Sequence, residues 1–212
     1  MERNDQALLD AARAVLAEDG AHASVAAIAT RAGVGIGTLY RRYRTKEQLF
    51  QHLSTLVLGE YLRVADEGLA DPDPWAGLAH YVTRAVLANT GALGPVAGTI
   101  EVTEEMADLS TRGDEAARRV IERAHAAGAL RADVSDVDIA LLIEQLGRSP
   151  LVEQIARQGQ ADLLDAARHA RARLVRLALD GLRATAADPL PGPAPGWELF
   201  TRRWARPGDQ ES

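Results

Sequence analysis

Cysteine is absent from all 212 residues. That excludes disulfides, thiolate catalysis, and zinc or iron-sulfur sites built on sulfur. Aromatic residues make up only 4% of the chain, and β-branched residues are few beside alanine and leucine, a balance that favours helix over strand. An all-α fold is expected, and the length allows one large domain or two small ones. No stretch approaches the roughly 18–20 uncharged apolar residues of a membrane span. The segment Met1 to Asp10 is too acidic for a signal peptide, so a cytoplasmic protein without a membrane partner is expected. Soft metal ligation is left to His22, His52, His80, His125 and His169. They form no HExxH and no i, i+4 pair, and read as surface or satisfied core residues, with no cofactor.

The net charge of −6 taken alone argues against a nucleic-acid partner, because phosphate binding favours a basic surface. The average hides a segregation. No acid lies between Asp19 and Glu47, whereas Arg31, Arg41, Arg42, Arg44 and Lys46 do, so residues 20–46 carry +5 and the remainder −11.

Helical spacing begins at once. Leu8, Leu9, Ala12, Val15 and Leu16 give a first helix over Asp5–Asp19, stopped at Gly20. Ser24 caps a short second helix with Val25, Ile28, Ala29 and Ala32 on one face, and Gly33 ends it. In a third, Leu39 and Tyr43 face inward while Gly37, Thr38, Tyr40 and Arg41 lie on other sides. Thr45-Lys46-Glu47-Gln48 has the form of a capping box opening a longer fourth helix, with Gln48 reaching back to the cap. Asp73 as N-cap and Pro74 at the first helical position start a fifth. A helix over Pro95–Asp108, a separate one over Asp114–Ala127, another capped by Ser135, and a long one near 161–183 complete the expected set. The stretch Leu190 to Gly196 reads as a semi-extended linker, followed by Trp197, Phe200 and Trp204 at amphipathic spacing. Three segments follow: 1–55, 56–188 and a tail, 189–212.

Two short helices joined by Ala32-Gly33-Val34-Gly35, the second bearing exposed polar and basic groups, form a helix-turn-helix pattern. The run from Ile28 through Gly33-Val34-Gly35-Ile36-Gly37-Thr38-Leu39-Tyr40-Arg41-Arg42-Tyr43, followed by Lys46, closely resembles the DNA-binding signature of the TetR family, over about residues 5–56. That resemblance implies a three-helix DNA-binding domain whose third helix reads the major groove. It further implies a fourth helix leading to a helical ligand-binding and dimerisation domain, and a transcription regulator rather than an enzyme.

Roles within the motif follow from chemistry. Gly37 allows close backbone approach beside Ile36, the Thr38 and Tyr40 hydroxyls suit phosphate oxygens, and Lys46 adds charge at a helix start. Arg41, and after it Arg42, present guanidinium groups suited to guanine O6 and N7. Tyr43 spaces as core, with a hydroxyl that can touch phosphate. Ser24 is first an N-cap and only second a phosphate contact. The partners expected are a palindromic duplex operator, released on effector binding as for a repressor, a second copy of the chain, and an unidentified small molecule. Leu142, Leu146, Leu163, Leu174 and Leu177 form an apolar stripe beyond what one small core needs, suited to a dimeric four-helix bundle; the alternative is that it closes the monomer's own core. Trp75, Leu78, Val82, Ile100, Met106 and Val120 are the candidate ligand lining, combining large apolar surface with an adaptable methionine.

A dinucleotide-binding enzyme is the rival suggested by Gly33, Gly35 and Gly37. It fails because Thr38 stands where the motif needs glycine and the segment follows a helix. Glu101, Glu104 and Glu105 read as a solvated face. A helical ligand carrier leaves the basic motif unexplained.

Overall fold

A computed structural model describes residues 2–88, 98–149, 151–185 and 188–199. Among them it is all-helical, the sole extended pairing being an isolated bridge between Leu130 and Arg183. The helices are α1 (Glu2–Asp19), α2 (Val25–Ala32), α3 (Ile36–Arg42), α4 (Lys46–Ala70), α5 (Pro74–Leu87), α6 (Glu104–Ala126), α7 (Asp136–Gly147), α8 (Leu151–Arg157) and α9 (Leu164–Gly181). Single 3₁₀ turns at Gly20–His22 and Ala161–Leu163 precede α2 and α9.

Helix starts are decided locally. Ser24, Thr45, Asp73, Thr103 and Ser135 each accept a bond from a backbone N–H in the first turn of the helix they precede, satisfying donors that the helix leaves orphaned. Ser135 and Asp138 complete a reciprocal capping box. At Thr45 the reciprocity differs from expectation: the Gln48 side chain accepts from the backbone N–H of Arg44 at 2.8 Å, one residue before the cap.

Between residues 98 and 126 the expected pair of helices is instead one. Gly98 to Thr103 is not helical, and α6 runs unbroken through Arg112-Gly113-Asp114. Gly113 costs the helix some intrinsic stability, but a side chain there would strike Tyr61 of α4, its Cβ standing 2.6 Å from the ring. The glycine is a packing surface, not a break. The α4–α5 crossing is equally close: a Cβ on Gly68 would sit 2.9 Å from the Gly77 carbonyl oxygen.

Two buried clusters share α4. The first gathers Leu8, Leu16, Ile28, Leu39, Leu49, Phe50 and Leu53 around the first three helices. The second gathers Val64, Leu78, Tyr81, Val82, Val120, Ile121, Ile139, Val175 and Leu179. Ile100 and Met106, 5% and 2% exposed, belong to the first cluster although they follow α5 in sequence. The Glu101 backbone is gripped beside them: its N–H donates to Glu47 Oε1 at 2.9 Å, and its carbonyl accepts from Gln51 Nε2 at 3.0 Å. At the far end, the Arg123 guanidinium donates to the carbonyls of Leu69 and Asp71. α4 and α6 are therefore tied at both ends.

Candidate nucleic-acid interface

The turn between α2 and α3 follows from one glycine. Gly33 takes the left-handed conformation (φ +68°) that ends α2, and the next N–H, that of Val34, closes back on Ala29 O at 3.0 Å. Gly35, extended, then caps α3 without a side chain. Leu39 (4% exposed) and Tyr43 (8%) point into the first cluster and fix the roll of α3. That roll leaves Ile36, Gly37, Thr38, Tyr40, Arg41 and Arg42 exposed along one short helix, with Arg44 and Lys46 exposed beyond it. The basic stretch of the sequence becomes a basic outer surface.

The two arginines of α3 differ in their partners. Arg41 donates to the Thr38 hydroxyl one turn earlier at 3.0 Å, within its own helix. Arg42 donates to Asp5 of α1 at 2.6 Å, its guanidinium lies over the Tyr43 ring, 5.2 Å from the centroid, and Tyr43 stacks at 5.3 Å on His52 of α4. His52 Nε2 in turn stands 3.8 Å from the same Asp5 oxygen. The hydrogen bond from Arg42 holds the Asp5 carboxyl below its ordinary value. Burial pushes the Tyr43 phenol up, and its oxygen is buried without a hydrogen-bond partner among the described residues, away from the surface on which phosphate contact was expected. Ser24 Oγ is occupied in capping α2. Lys46 projects over the Phe50 ring at 5.5 Å. Asp5 was missed in the sequence because nothing in spacing links it to a residue 37 positions on.

The candidate ligand residues are not brought together. Leu78, Val82 and Val120 are buried in the second cluster and Trp75 packs at its edge, with the Arg183 guanidinium 4.3 Å from its ring centroid. Ile100 and Met106 lie in the first cluster. A polar group that sequence spacing does not reveal sits between α4 and α6: the Tyr61 hydroxyl donates to Asp114 at 3.2 Å, with Ser110 at 3.5 Å and the Tyr61 ring against that of Tyr81. Burial raises the Asp114 carboxyl and both phenols above their ordinary values.

The stripe on α9 does not close the monomer's core. Its inward face is Ala167, Arg171, Val175 and Leu179, with Arg171 donating to the carbonyls of Val86 and Gly147 at the ends of α5 and α7. Leu163 (42%), Leu174 (48%) and Leu177 (64%) are exposed, and Leu142 and Leu146 are half-buried. Trp197 donates to Asp136 at 2.9 Å, pinning the tail to the start of α7; Phe200 and Trp204 lie outside the described residues. Among the described residues no group of three histidines or carboxylates is placed to hold a metal ion, and no helix is long and apolar enough to cross a membrane.

Residues 8–53 match the family model described as bacterial regulatory proteins, tetR family. Similar solved structures include a TetR transcriptional regulator of Streptomyces coelicolor, 26% identical with a TM-score of 0.53, over 86% of this chain and 99% of that one. A TetR transcription regulatory protein from Mycobacterium vanbaalenii is 24% identical with a TM-score of 0.52, over 86% and 96% of the two chains. The TetR-like regulator LfrR of Mycobacterium smegmatis, solved in complex with proflavine, is 24% identical with a TM-score of 0.50, over 89% and 99%. The last two show the fold alone. With the family match seated on the helix-turn-helix, residues 8–53 are a TetR-type DNA-binding domain, and the likeness to TetR transcriptional regulators extends through the helices behind it: a DNA-binding protein, not an enzyme.

Proposed function

We propose that the chain is a cytoplasmic, ligand-responsive repressor that binds a palindromic operator as a homodimer and leaves it when a small molecule enters the C-terminal domain. The observation that carries the DNA half is the exposed face of α3, which puts Gly37, Thr38, Tyr40 and Arg41 on one surface over a buried Leu39–Tyr43 ridge. In this reading Arg41 discriminates bases through a bidentate contact to guanine. Ile36 and Gly37 let the helix lie close, and Thr38, Tyr40 and Lys46 hold phosphates and set register. Ser24 and Tyr43 shape the head from behind. Residues 1–55 then form the reading head, 56–188 the sensing and dimerising body, and 189–212 a tail.

Dimerisation is supported by Leu174 and Leu177, large apolar side chains whose exposure on α9 is costly unless a second copy covers it. Leu142, Leu146 and Leu163 extend the same surface, giving a bundle of α7 and α9 from each protomer. The effector half is supported by the link between clusters. Trp75, Leu78, Val82 and Val120 form the proposed sensing wall, and Ile100 and Met106, on the other side of the clamped Glu101 backbone, carry its movement into the reading head. These walls are close-packed, so a ligand must bind an arrangement in which α5 and α6 part, and it shifts the population toward that arrangement.

Two measurements test this. Selection from genomic fragments should return a palindromic sequence preferred over random duplex at every salt concentration, and the absence of preference defeats the reading. Calorimetry of a co-purified ligand, with and without operator, should show affinities differing by the same factor in both directions; equal affinities would separate the ligand from DNA control.

A further inference from the structure

We propose that Asp5 is a specificity-determining residue of the DNA-reading head: by holding Arg42 it removes one cation from the phosphate-binding surface, making Arg42 a positioning residue for α3 and leaving Arg41 to read. This rests on the reading of α3 as the DNA-facing helix and goes beyond it by dividing two adjacent arginines.

The geometry distinguishes them. Arg42 is held from another helix, at 2.6 Å from Asp5 Oδ1, with its flat face on Tyr43. Among the described residues, Arg41 is paired with no carboxylate and bonds only a neighbouring hydroxyl. The Asp5 side chain is 14% exposed, against 35% for Arg42. If Arg42 swung out to a phosphate, Asp5 would lose its closest cation and keep only His52, at 3.8 Å. To reach a phosphate, Arg42 would have to leave both the Asp5 carboxylate and the Tyr43 ring. Arg42 therefore stays on Asp5 when the head meets DNA. The consequence for binding is selective. Phosphate contacts supply the sequence-independent part of affinity, so cancelling a cation on the reading helix lowers binding to random duplex. The Asp5–Arg42–Tyr43–His52 chain meanwhile joins α1, α3 and α4 and fixes the angle at which Arg41 is offered to a base.

The test uses the full-length protein, with affinity for its selected operator and for random duplex measured against salt concentration. Asp5→Asn should steepen the log K against log salt slope on random duplex by about 0.9 per reading head, the value for one added phosphate contact, and narrow the ratio of operator to random affinity. Arg42→Gln should leave the random-duplex slope as it is while weakening operator binding. The double variant should share the Arg42→Gln slope, and Asp5→Glu should keep the wild-type slope. The proposal is overturned if Arg42→Gln flattens the slope by about 0.9, which makes Arg42 a phosphate contact, or if Asp5→Asn changes neither slope nor ratio. Melting temperature and circular dichroism on each variant identify simple loss of fold; if Asp5→Asn unfolds, the Arg42→Gln slope alone decides. A wild-type protein without operator preference would sink the DNA reading itself, an outcome distinct from either failure above.

Discussion

Helices α3 and α9 present opposite kinds of surface to water. α3 shows hydroxyls and guanidinium groups over a short apolar ridge, whereas α9 shows leucines beside arginines over an inward face of small and branched residues. An exposed cation costs little in water and gains when a polyanion arrives; an exposed leucine costs about 25 cal/mol per Å² of apolar surface until something covers it. The first surface suits a partner that comes and goes, the second one that stays. On the proposed reading, a protein with one copy of α3 and a sticky α9 is half of a two-headed reader.

The most damaging break in this comparison is on α9. Leu174→Asp with Leu177→Asp should yield a soluble monomer by light scattering, with operator affinity down about 10²–10⁴-fold, because the second head no longer binds at the effective concentration set by the first. A dimer that persists would move the interface elsewhere. On α3, Arg41→Ala should cost about 1–3 kcal/mol of discrimination between operator and random duplex, while Lys46→Ala weakens both equally and lowers the salt slope by about one unit. Identical losses from both substitutions would erase the division between reading and positioning.

Glycines sharpen the comparison between a surface awaiting a partner and one that has it. A Cβ added at Gly37 meets nothing within 4 Å, so Gly37→Ala should stabilise α3 by about 1 kcal/mol and raise the melting temperature while weakening operator binding. At Gly77 a Cβ would collide with the Gly68 carbonyl of α4, and Gly77→Ala should destabilise by about 1–3 kcal/mol through overpacking. Operator binding unaffected in Gly37→Ala would remove the need for close backbone approach.

The smallest effect expected is the pH dependence of two carboxylates with opposite environments. Asp5 is lowered by Arg42, so its contribution is present above the ordinary aspartate range and is lost as pH falls through its depressed value. Asp114 is raised by burial beside Tyr61, so its ionised form penalises the fold, and the penalty is relieved as pH falls through the raised value. In thermal unfolding, Asp5→Asn should flatten the loss of stability below about pH 4. Asp114→Asn should abolish the gain in stability that comes as pH falls through the raised value. Unchanged pH profiles in both variants would contradict these environments.

The legible part of the molecule is the part whose causes lie within a few residues. Ser24, Thr45, Asp73 and Ser135 were readable as caps because a cap and its N–H donor are two or three positions apart, and Gly33 because its left-handed turn is a backbone property. The inward roll of Leu39 and Tyr43 follows from period alone. Where reading went astray, distant chain decided. Gly113 looked like a helix break until Tyr61 occupied the space it leaves, and Ile100 and Met106 looked like part of one wall with Leu78 and Val120 until the return of the chain packed them into the first cluster. Sensing-wall residues were the least legible, since a large apolar side chain on a helix looks the same whether it lines a cavity or fills a core.

By itself, then, the sequence determined an all-helical chain, the turn between α2 and α3, the basic stretch that becomes an outer surface, and the caps that begin most helices. Capping, glycine conformation and helical period act over one turn and need no distant partner. Only the tertiary structure decided which face of α9 is bare, which arginine of α3 is already spoken for by Asp5, and that Met106 of α6 and the preceding Ile100 pack into the first cluster. Those are choices among faces and partners that local energies leave nearly equal. They are settled by desolvation, because a carboxylate or a leucine must find its match in whatever part of the chain the fold brings beside it.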